Sequence, residues 1–328
     1  MNYRKLGKTD LEVSEIALGT WQVGGKWGAA FDEAKADRIL NTAIDRGINF
    51  IDTADVYSNG WSEKAVGRAV QSSSERIYVA SKCGRQINPH VSEGYTPKVL
   101  QQYVEDSLKR MGLETLDVIQ LHCPPTEVYY RDEIFELFDR LQTAGKIRHL
   151  GVSVEKVEEA LRAIEYPNVK TVQIIFNLFR QKPAEEFFEA AKAKNIGVIV
   201  RVPLASGLLT GLYDAQTNFT KGDHRNFNRD GAAFDKGETF SGVDYELGLQ
   251  AVSELKALFP DVQNLAPVAL QWILQHEAVS CIIPGASRPE QVHSNLSLYD
   301  LPKLSAEKVA QMDAIYERLI KAEVHHLW

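Results

Sequence analysis

Three short apolar runs end in residue types suited to proton transfer, namely Asp52, Lys82 and His122. Tyr57 lies five positions after Asp52. Neighbouring strands of a sheet lie about 4.8 Å apart. If the three runs are adjacent parallel strands, we expect the four side chains to converge at one edge. Such a set can protonate a carbonyl oxygen at neutral pH.

Charge interactions within this set predict a role for each member. A buried Lys82 needs a partner for its charge, and Asp52 can supply one. The lysine charge favours tyrosinate, so we expect it to lower the pKa of Tyr57 from roughly 10 towards neutral pH. His122 can donate a hydrogen bond that fixes a carbonyl oxygen against the phenol. Each residue alone is more often structural, so the prediction depends on the joint pattern.

The elements that would position these residues repeat along the chain. Short apolar runs, typical of buried parallel strands, alternate with amphipathic helical patterns. The predicted strands are residues 16–20, 49–52, 78–82, 118–122, 149–153, 171–174, 198–201 and 281–284. The predicted helices are residues 32–46, 63–71, 97–111, 131–143, 155–165, 183–194, 245–259 and 266–276. This order predicts a single α/β domain over 1–328, a (β/α)8 TIM barrel with its active site at the carboxyl ends of the strands.

Further segments refine this barrel. Residues 3–7 and 11–14 predict an N-terminal β-hairpin that closes the barrel bottom. Residues 212–244 have no clear period and predict a long loop after strand 7, of a kind that is usually functional or mobile. Residues 305–321 predict an extra C-terminal helix. A doubly wound open sheet is the alternative, but no G-x-G-x-x-G opens a helix after the first strand.

Composition limits the classes of protein and partner. The 328 residues are 44% hydrophobic and 25% charged, which is typical of a soluble globular protein. A net charge of −7 without a long basic run argues against nucleic acid or an anionic membrane as partner. Three widely spaced cysteines fit a reducing compartment better than a disulfide framework. We expect a cytoplasmic protein that acts on a small molecule, with no signal peptide and no membrane span.

Several motifs together give the chain a specific resemblance to one family. Residues 47–57 match G-x-x-x-x-D-T-A-x-x-Y, residues 62–67 resemble S-E-x-x-x-G, and residues 145–153 match G-K-I-R-x-x-G-V-S. Residues 18–21, 111–118 and 121–122 match further segments. Over essentially its whole length, the chain resembles the aldo-keto reductases. The resemblance implies a catalytic tetrad with one tyrosine as proton donor, namely Asp52, Tyr57, Lys82 and His122.

The resemblance also implies NADP(H) as cofactor, with hydride passing from its nicotinamide to an aldehyde or ketone, since no side chain supplies a hydride. From the residues alone, the glycines and serine of 201–211 would let backbone amides approach a pyrophosphate. A helix that begins at Pro289 would attract phosphate. The resemblance places Ser287 and Arg288 at the 2′-phosphate of the cofactor. Arg288 therefore favours NADP over NAD. The implied cofactor-binding residues are Gly19, Thr20, Trp21, Asp52, Ser153, Gln173, Arg201, Pro203, Leu204, Ser206, Gly207, Leu208, Gly285, Ser287, Arg288, Gln291 and Asn295.

The chain departs from the family pattern at one cofactor position. Val154 stands where many members have an asparagine that contacts the nicotinamide carboxamide, so that contact would rest on Ser153 and Gln173. Three tryptophans of the predicted rim loops would line the substrate pocket: Trp21, Trp27 and Trp61. The sequence does not specify the substrate, and sugars and alcohols are among the candidates. Nor does it specify the direction of the reaction or the oligomeric state.

Two other functions stay open. Some barrels that resemble this family serve as nucleotide-sensing regulatory subunits, although an intact tetrad favours turnover. The second alternative is a metal-dependent hydrolase with zinc held by Cys83, Cys123 and His122. No ligand-spacing motif supports it, and we expect no bound metal.

Overall fold

Eight parallel strands form a barrel at the centre of the molecule. The computed structural model describes residues 1–25 and 30–328. The strands in this part of the chain are β1 (Tyr3–Lys5), β2 (Glu12–Ser14), β3 (Leu18–Gly19), β4 (Phe50–Asp52), β5 (Tyr78–Cys83), β6 (Leu116–His122), β7 (Ile147–Ser153), β8 (Val169–Ile175), β9 (Gly197–Arg201) and β10 (Val279–Ile282). Strands β3 to β10 follow one another around the sheet in chain order. Bridges Ile16–Ile282 and Gly19–Gly285 join the last strand to the first, so the predicted barrel is confirmed.

The helices lie between these strands, as the periodicity predicts. Their bounds are α1 (Glu33–Asp45), α2 (Trp61–Ser72), α3 (Pro97–Met111), α4 (Asp132–Thr143), α5 (Val157–Ala163), α6 (Lys182–Glu186), α7 (Phe188–Ala193), α8 (His224–Phe227), α9 (Tyr245–Leu258), α10 (Ala266–Leu274), α11 (Pro289–Leu296), α12 (Ala306–Ile315) and α13 (Lys321–Val324). The Thr96 side chain caps α3 by accepting from the Val99 amide at 3.3 Å. Gly112 ends the same helix at a φ of +65°. None of the helices in the described residues is long and apolar enough to cross a membrane.

One helix prediction is wrong in detail. Residues 183–194 were expected to form a single helix, but α6 and α7 are separated by a break at Phe187. Phe187 and Phe188 are both buried. Neighbouring residues on a regular helix point about 100° apart, so the break lets both rings enter the core. The predicted helix over 305–321 is also interrupted, since a wider π turn at Tyr316–Ile320 follows α12.

The hairpin of β1 and β2 seals the amino-terminal end of the barrel. Its two strands pair antiparallel, and Leu6, Leu11 and Val13 are buried in a cluster with residues from the barrel interior. A Cβ atom on Gly7 would lie 2.1 Å from the Gly197 nitrogen, and the φ of Gly7 is +56°. Glycine is therefore required where the hairpin touches the start of β9. The predicted closure of the barrel bottom is confirmed.

The segment 212–244 lies across the opposite end of the barrel. It contains α8 and two single turns, so it is less irregular than its sequence predicts. The His224 ring packs edge-on against Trp21, which follows β3, with the centroids 4.6 Å apart. Ser241 accepts a hydrogen bond of 2.7 Å from Asn177, which follows β8. The segment therefore covers the carboxyl ends of the strands.

Candidate active site

A buried ion pair joins the ends of β4 and β5. Lys82 Nζ lies 2.5 Å from Asp52 Oδ1, and each side chain is 1% exposed. The ammonium also donates to the Thr53 carbonyl oxygen at 2.8 Å and to the Tyr57 hydroxyl at 3.3 Å. Burial alone would lower the pKa of Lys82, but the Asp52 charge and the phenol raise it above its usual value. The lysine is therefore protonated and bridges the acid and the phenol.

The second oxygen of Asp52 is held by two amide side chains. Gln120 Nε2 donates to Asp52 Oδ2 at 3.0 Å, and Gln173 Nε2 donates to the same atom at 2.8 Å. Gln173 Oε1 in turn accepts from Ser153 Oγ at 3.5 Å. Sequence reasoning missed Gln120, although it lies two residues before His122 and so shares its face of β6. Ser153 and Gln173 lie together, as expected, and form part of this network.

Tyr57 reaches the ion pair from the turn that follows β4. Ser58 and Asn59 adopt left-handed backbone there, with φ values of +48° and +52°. Burial raises the pKa of Tyr57 above its usual value, and the Lys82 charge offsets only part of this effect. The expectation that Lys82 lowers this pKa towards neutrality is therefore wrong, because the loss of water around the phenol outweighs the cation. Tyr57 is a protonated phenol at neutral pH.

His122 faces the phenol from the end of β6. The two rings meet edge to face, with centroids 6.0 Å apart and an interplanar angle of 82°. Burial lowers the pKa of His122 well below its usual range, and the charges of Arg85 and Lys82 lower it further. The imidazole is therefore neutral and carries a single N–H donor. Its Nδ1 is buried without a hydrogen-bond partner among the described residues. The structure thus brings together all four residues that the sequence singled out.

Known proteins match this chain over most of its length. The profile of the Aldo/keto reductase family matches residues 15–317. The chain belongs to the aldo/keto reductase family. The uncharacterized oxidoreductase YqkF of Bacillus subtilis (strain 168) is 30% identical over 318 residues, which are 96% of each chain. A probable voltage-gated potassium channel subunit beta of Oryza sativa subsp. japonica is 28% identical, over 97% of each chain. The structure of the glycerol dehydrogenase AKR11B4 from Gluconobacter oxydans superposes with a TM-score of 0.79 and 31% identity, covering 97% of this chain and 96% of that one.

As an aldo/keto reductase, the protein is an NADP(H)-dependent oxidoreductase that interconverts carbonyl compounds and alcohols. The loop after β9 fits an anionic cofactor. Val202, Ala205 and Ser206 have φ values of +51°, +46° and +56°, and Gly207 one of +94°. Non-glycine residues rarely adopt this conformation, and it persists mainly at functional sites. Backbone that passes from right-handed into left-handed residues can present amides to a phosphate, although the amides of Ala205 and Gly207 donate here to the carbonyl oxygens of Val202 and Leu204.

The predicted cofactor residues lie at or after the carboxyl-terminal parts of the barrel strands, at the covered face of the barrel. Gly19 ends β3, Ser153 ends β7, and Arg201 ends β9. The Ser206 hydroxyl donates to the Glu238 carbonyl oxygen at 3.0 Å and accepts from the Phe240 amide at 3.2 Å, and its contact with the cofactor stays a prediction. In this structure its side chain therefore holds the segment 212–244. The remaining members are Thr20 and Trp21 after β3, Asp52 at the end of β4, Gln173 within β8, and Pro203, Leu204, Gly207 and Leu208 after β9.

The other predicted cofactor residues, from Gly285 to Asn295, follow β10. Helix α11 begins at Pro289, as expected, with Arg288 as its N-cap. The amide and hydroxyl of Ser287 both donate to Gln291 Oε1, at 2.7 and 3.1 Å. The Arg288 side chain is 62% exposed and lies 3.8 Å from Glu290. A mostly exposed guanidinium beside a helix N-terminus is suited to bind a phosphate.

A second group of charged residues, which sequence reasoning missed apart from Arg201, lies beside the tetrad. Arg85 Nη1 is 3.0 Å from Glu238 Oε1, and Arg201 Nη2 is 2.8 Å from Glu155 Oε2. Glu238 Oε1 is also 3.8 Å from Arg201 Nη1. Arg85 and Glu155 follow the ends of β5 and β7, which was an available signal. Glu238 belongs to the aperiodic segment 212–244, where no pattern marks it.

The two carboxyl groups of this cluster interact with each other. Burial and the neighbouring Glu238 raise the pKa of Glu155 to about 8, although Arg201 opposes the shift. Burial alone would raise the pKa of Glu238, but the charges of Arg85 and Arg201 outweigh it and lower the pKa to about 2. At neutral pH the pair therefore holds one proton, mainly on Glu155, and carries one negative charge.

The zinc site that the sequence left open is not assembled. In the described ranges, the only group of three candidate ligands is Cys123, Glu155 and Glu238, whose atoms lie within 4.8 Å of one another. Cys83 and His122 do not join it. Both carboxylates of this group already bind guanidinium groups, as described above. The positive charge of those groups opposes a metal cation.

Two of the three rim tryptophans lie in the described part of the chain. Trp21 contacts His224 and also Phe234, with ring centroids 6.2 Å apart. Trp61 is 41% exposed and stacks on Phe31 at the same centroid distance. Trp27 lies outside the described residues. Trp21 and Trp61 therefore lie among aromatic side chains, and their role in lining a substrate pocket stays a prediction.

Proposed function

We propose that the protein reduces an aldehyde or ketone, or oxidises the corresponding alcohol, with Tyr57 as proton donor and acceptor. The observation that carries this proposal is the position of the Lys82 ammonium, 2.5 Å from Asp52 Oδ1 and 3.3 Å from the Tyr57 hydroxyl. A proton lost from the phenol leaves a phenolate beside a fixed cation. That cation stabilises the phenolate during the reaction.

Each member of the tetrad has one task in this proposal. The neutral His122 donates a hydrogen bond to the carbonyl oxygen, holds it against the Tyr57 hydroxyl and polarises it. Tyr57 then gives its proton to the same oxygen as negative charge develops there. Asp52, held by Gln120 and Gln173, fixes the Lys82 ammonium beside the phenolate that remains. NADPH, when bound, supplies the hydride that reduces the carbonyl carbon.

We assign the cofactor to the residues that follow β3 and β7 to β10. Ser153 and Gln173 would hold the nicotinamide carboxamide. The loop of residues 202–207, which contains several left-handed residues, would hold the pyrophosphate. Ser287 and Arg288 would bind the 2′-phosphate and favour NADPH over NADH. Similarity to a glycerol dehydrogenase supports testing polyols and sugars beside simple aldehydes. The three cysteines are buried free thiols, which supports a reducing, cytoplasmic location.

Cofactor binding and turnover test the proposal together. NADPH and NADH would be titrated against tryptophan fluorescence, and oxidation of the bound nucleotide followed by absorbance with aldehydes, ketones and sugars. We expect NADPH to bind more tightly than NADH, and at least one carbonyl class to be reduced. Tyr57→Phe should bind NADPH within about threefold of the wild type and lose at least about 100-fold in kcat. Equal turnover by Tyr57→Phe and the wild type would exclude this role.

A nucleotide-sensing role is the second candidate, and the similarity to a potassium channel subunit beta favours including it. The same experiment separates the two functions. Tight NADPH binding without reduction of any carbonyl, or oxidation of any alcohol, would support the sensor. Turnover that depends on Tyr57 supports the reductase.

A further inference from the structure

The ion pair of Arg85 and Glu238 lies beside the reaction centre. Arg85 follows β5, three residues after Lys82, and its side chain is 23% exposed. Its partner Glu238 also lies 3.8 Å from Arg201 Nη1. Arg201 Nη2 is in turn 3.5 Å from the Sγ atom of Cys123, the residue that follows His122. A carbonyl compound held by Tyr57 and His122 would therefore have Arg85 as a neighbour.

The cluster around this pair carries more positive than negative charge. Arg85 and Arg201 are both cations, whereas burial keeps a proton on Glu155 at neutral pH and leaves the carboxylates of Glu238 and Asp235. Arg180, which is 4% exposed, adds a buried guanidinium whose Nη1 has no partner within the described residues. The whole chain has a net charge of −7, so this excess is local. A local positive excess beside a reaction centre is suited to an anionic ligand.

The carboxylate of Glu238 can leave Arg85 without moving its segment. A second cation is already close, since Glu238 Oε1 is 3.8 Å from Arg201 Nη1. The backbone of Glu238 is held independently by Ser206, through its carbonyl oxygen. Asp235, three residues earlier, is fixed by a hydrogen bond of 2.9 Å from Trp328. A rotation of one side chain would therefore expose the Arg85 guanidinium.

We propose that Arg85 binds an anionic group of the substrate, a carboxylate or a phosphate a few atoms from the carbonyl carbon, and that Glu238 occupies this place until the substrate arrives. The planar guanidinium fork matches two oxygens of either group. In this exchange, the carboxylate or phosphate of the substrate takes the place of the Glu238 carboxylate on the Arg85 guanidinium. This inference rests on the proposed reductase function and names its substrate class.

Matched substrates with and without the charge test this inference. One pair is 4-oxobutanoate and its methyl ester, and the other is glycolaldehyde phosphate and glycolaldehyde, so the two arms separate carboxylate from phosphate. The variants are Arg85→Gln, Arg85→Lys and Glu238→Gln. Arg318→Gln serves as control, because Arg318 also pairs with a carboxylate, that of Glu254, on an exposed helix surface.

We expect the wild type to prefer the anionic member of at least one pair by about tenfold or more in kcat/KM, mainly through KM. Arg85→Gln should lower kcat/KM for the anionic member by about tenfold more than for the neutral member, so that the preference is lost, and Arg85→Lys should restore part of it. Glu238→Gln should lower KM for the anionic member alone, because the competing carboxylate is gone. The control should behave as the wild type does.

Three outcomes would contradict the assignment of Arg85 as an anion-binding residue, and each has a different meaning for the proposed function. Turnover of neutral carbonyls with no preference in the wild type would overturn the anion site and leave the proposed function intact. Equal losses on both members in Arg85→Gln, with no gain in Glu238→Gln, would assign the pair a structural role instead. Absence of turnover on every carbonyl would overturn the proposed function and this inference with it.

Discussion

Gln173 donates a hydrogen bond of 2.8 Å to Asp52 Oδ2, which links β8 to β4 across the inside of the barrel. With Lys82 on the other oxygen, the carboxylate is held from two sides. Glutamine side chains are uncharged, so Lys82 alone balances the charge of Asp52. The ion pair is therefore the part of the site whose disruption should cost most.

Removing one partner of this pair should destabilise the protein more than removing both. Asp52→Asn and Lys82→Met each leave an unpaired buried charge, which costs about 3–5 kcal/mol in comparable pairs. The double variant removes both charges and should recover part of that loss. Urea unfolding of the four proteins measures the coupling. Additive losses in the double variant would mean that the two charges do not depend on each other.

Asp55 should make the protein less stable as the pH rises. It is 1% exposed, and neither carboxylate oxygen has a hydrogen-bond partner in the residues described. Burial, with help from Glu63, raises the pKa of Asp55 from 3.8 to about 7. An acid with a raised folded pKa stabilises the fold below its unfolded pKa and loses that contribution between about pH 4 and pH 7.

Asp55→Asn should therefore exceed the wild type in free energy of unfolding at pH 8, by up to roughly 4 kcal/mol. The two proteins should converge near pH 4. Urea unfolding at several pH values checks this, with the exposed Asp261→Asn as control for the loss of one surface charge. A constant difference between Asp55→Asn and the wild type across this range would contradict the assignment.

His122 should stay neutral where an ordinary histidine is mostly charged. Burial lowers its pKa well below 6.5, so the folded protein resists protonation of this ring. Since the unfolded chain binds that proton more readily, His122 should also reduce stability as the pH falls below about 6.5. The NMR chemical shifts of the imidazole nitrogens, assigned to His122 by comparison with the His122→Gln variant, should show a neutral ring at pH 6. A midpoint at or above 6.5 would contradict the lowered pKa of this ring.

Trp328 should control how firmly the segment 212–244 covers the barrel. Its ring lies 4.3 Å from the Arg180 guanidinium, and its Nε1 donates to Asp235 at 2.9 Å. Trp328→Ala should lose about 3–5 kcal/mol of stability and speed amide exchange around 235–242. Trp328→Phe keeps the packing and should show a smaller effect. Trp61→Ala, at an exposed ring, is the control, and equal exchange in all variants would show that the segment is held elsewhere.

Release of NADPH should accelerate in the same Trp328→Ala variant if the segment folds over the cofactor. Loops that close over a bound ligand often limit its departure. Stopped-flow tryptophan or nucleotide fluorescence measures the release rate directly. An unchanged rate, together with faster amide exchange, would separate the motion of the segment from cofactor release.

Arg288 should determine the preference between the two nicotinamide cofactors. Its side chain is 62% exposed at the start of α11. Arg288→Leu should weaken NADPH by about 10- to 100-fold, because a charge-assisted contact to the 2′-phosphate is lost. NADH lacks that phosphate and should bind within about threefold of its wild-type affinity. Parallel losses for both cofactors would place Arg288 elsewhere than at the 2′-phosphate.

The barrel and the tetrad were accessible from sequence because their signals are local. Alternating apolar runs and helical periods locate the strands, and Asp52, Lys82 and His122 stand at strand ends. The direction of the Tyr57 pKa was mispredicted, because a sequence shows the nearby lysine and not the water that burial removes. The pairing of Arg85 with Glu238 spans 153 positions of the chain. No local pattern encodes such a contact, which depends on the path of the segment 212–244.

Within residues 1–25 and 30–328, the hairpin of β1 and β2 closes the amino-terminal end of the barrel, so the tetrad faces the end that the segment 212–244 covers. Leu6, Leu11 and Val13 fill the base of the barrel, and below Asp52 the interior is apolar, with Phe50 and Val118 buried there. In the proposed mechanism, a proton given away by Tyr57 would be replaced from the same end of the barrel at which the alcohol product departs. Reprotonation of the phenol and release of the product would then use one passage, and slow product release would delay the next proton transfer.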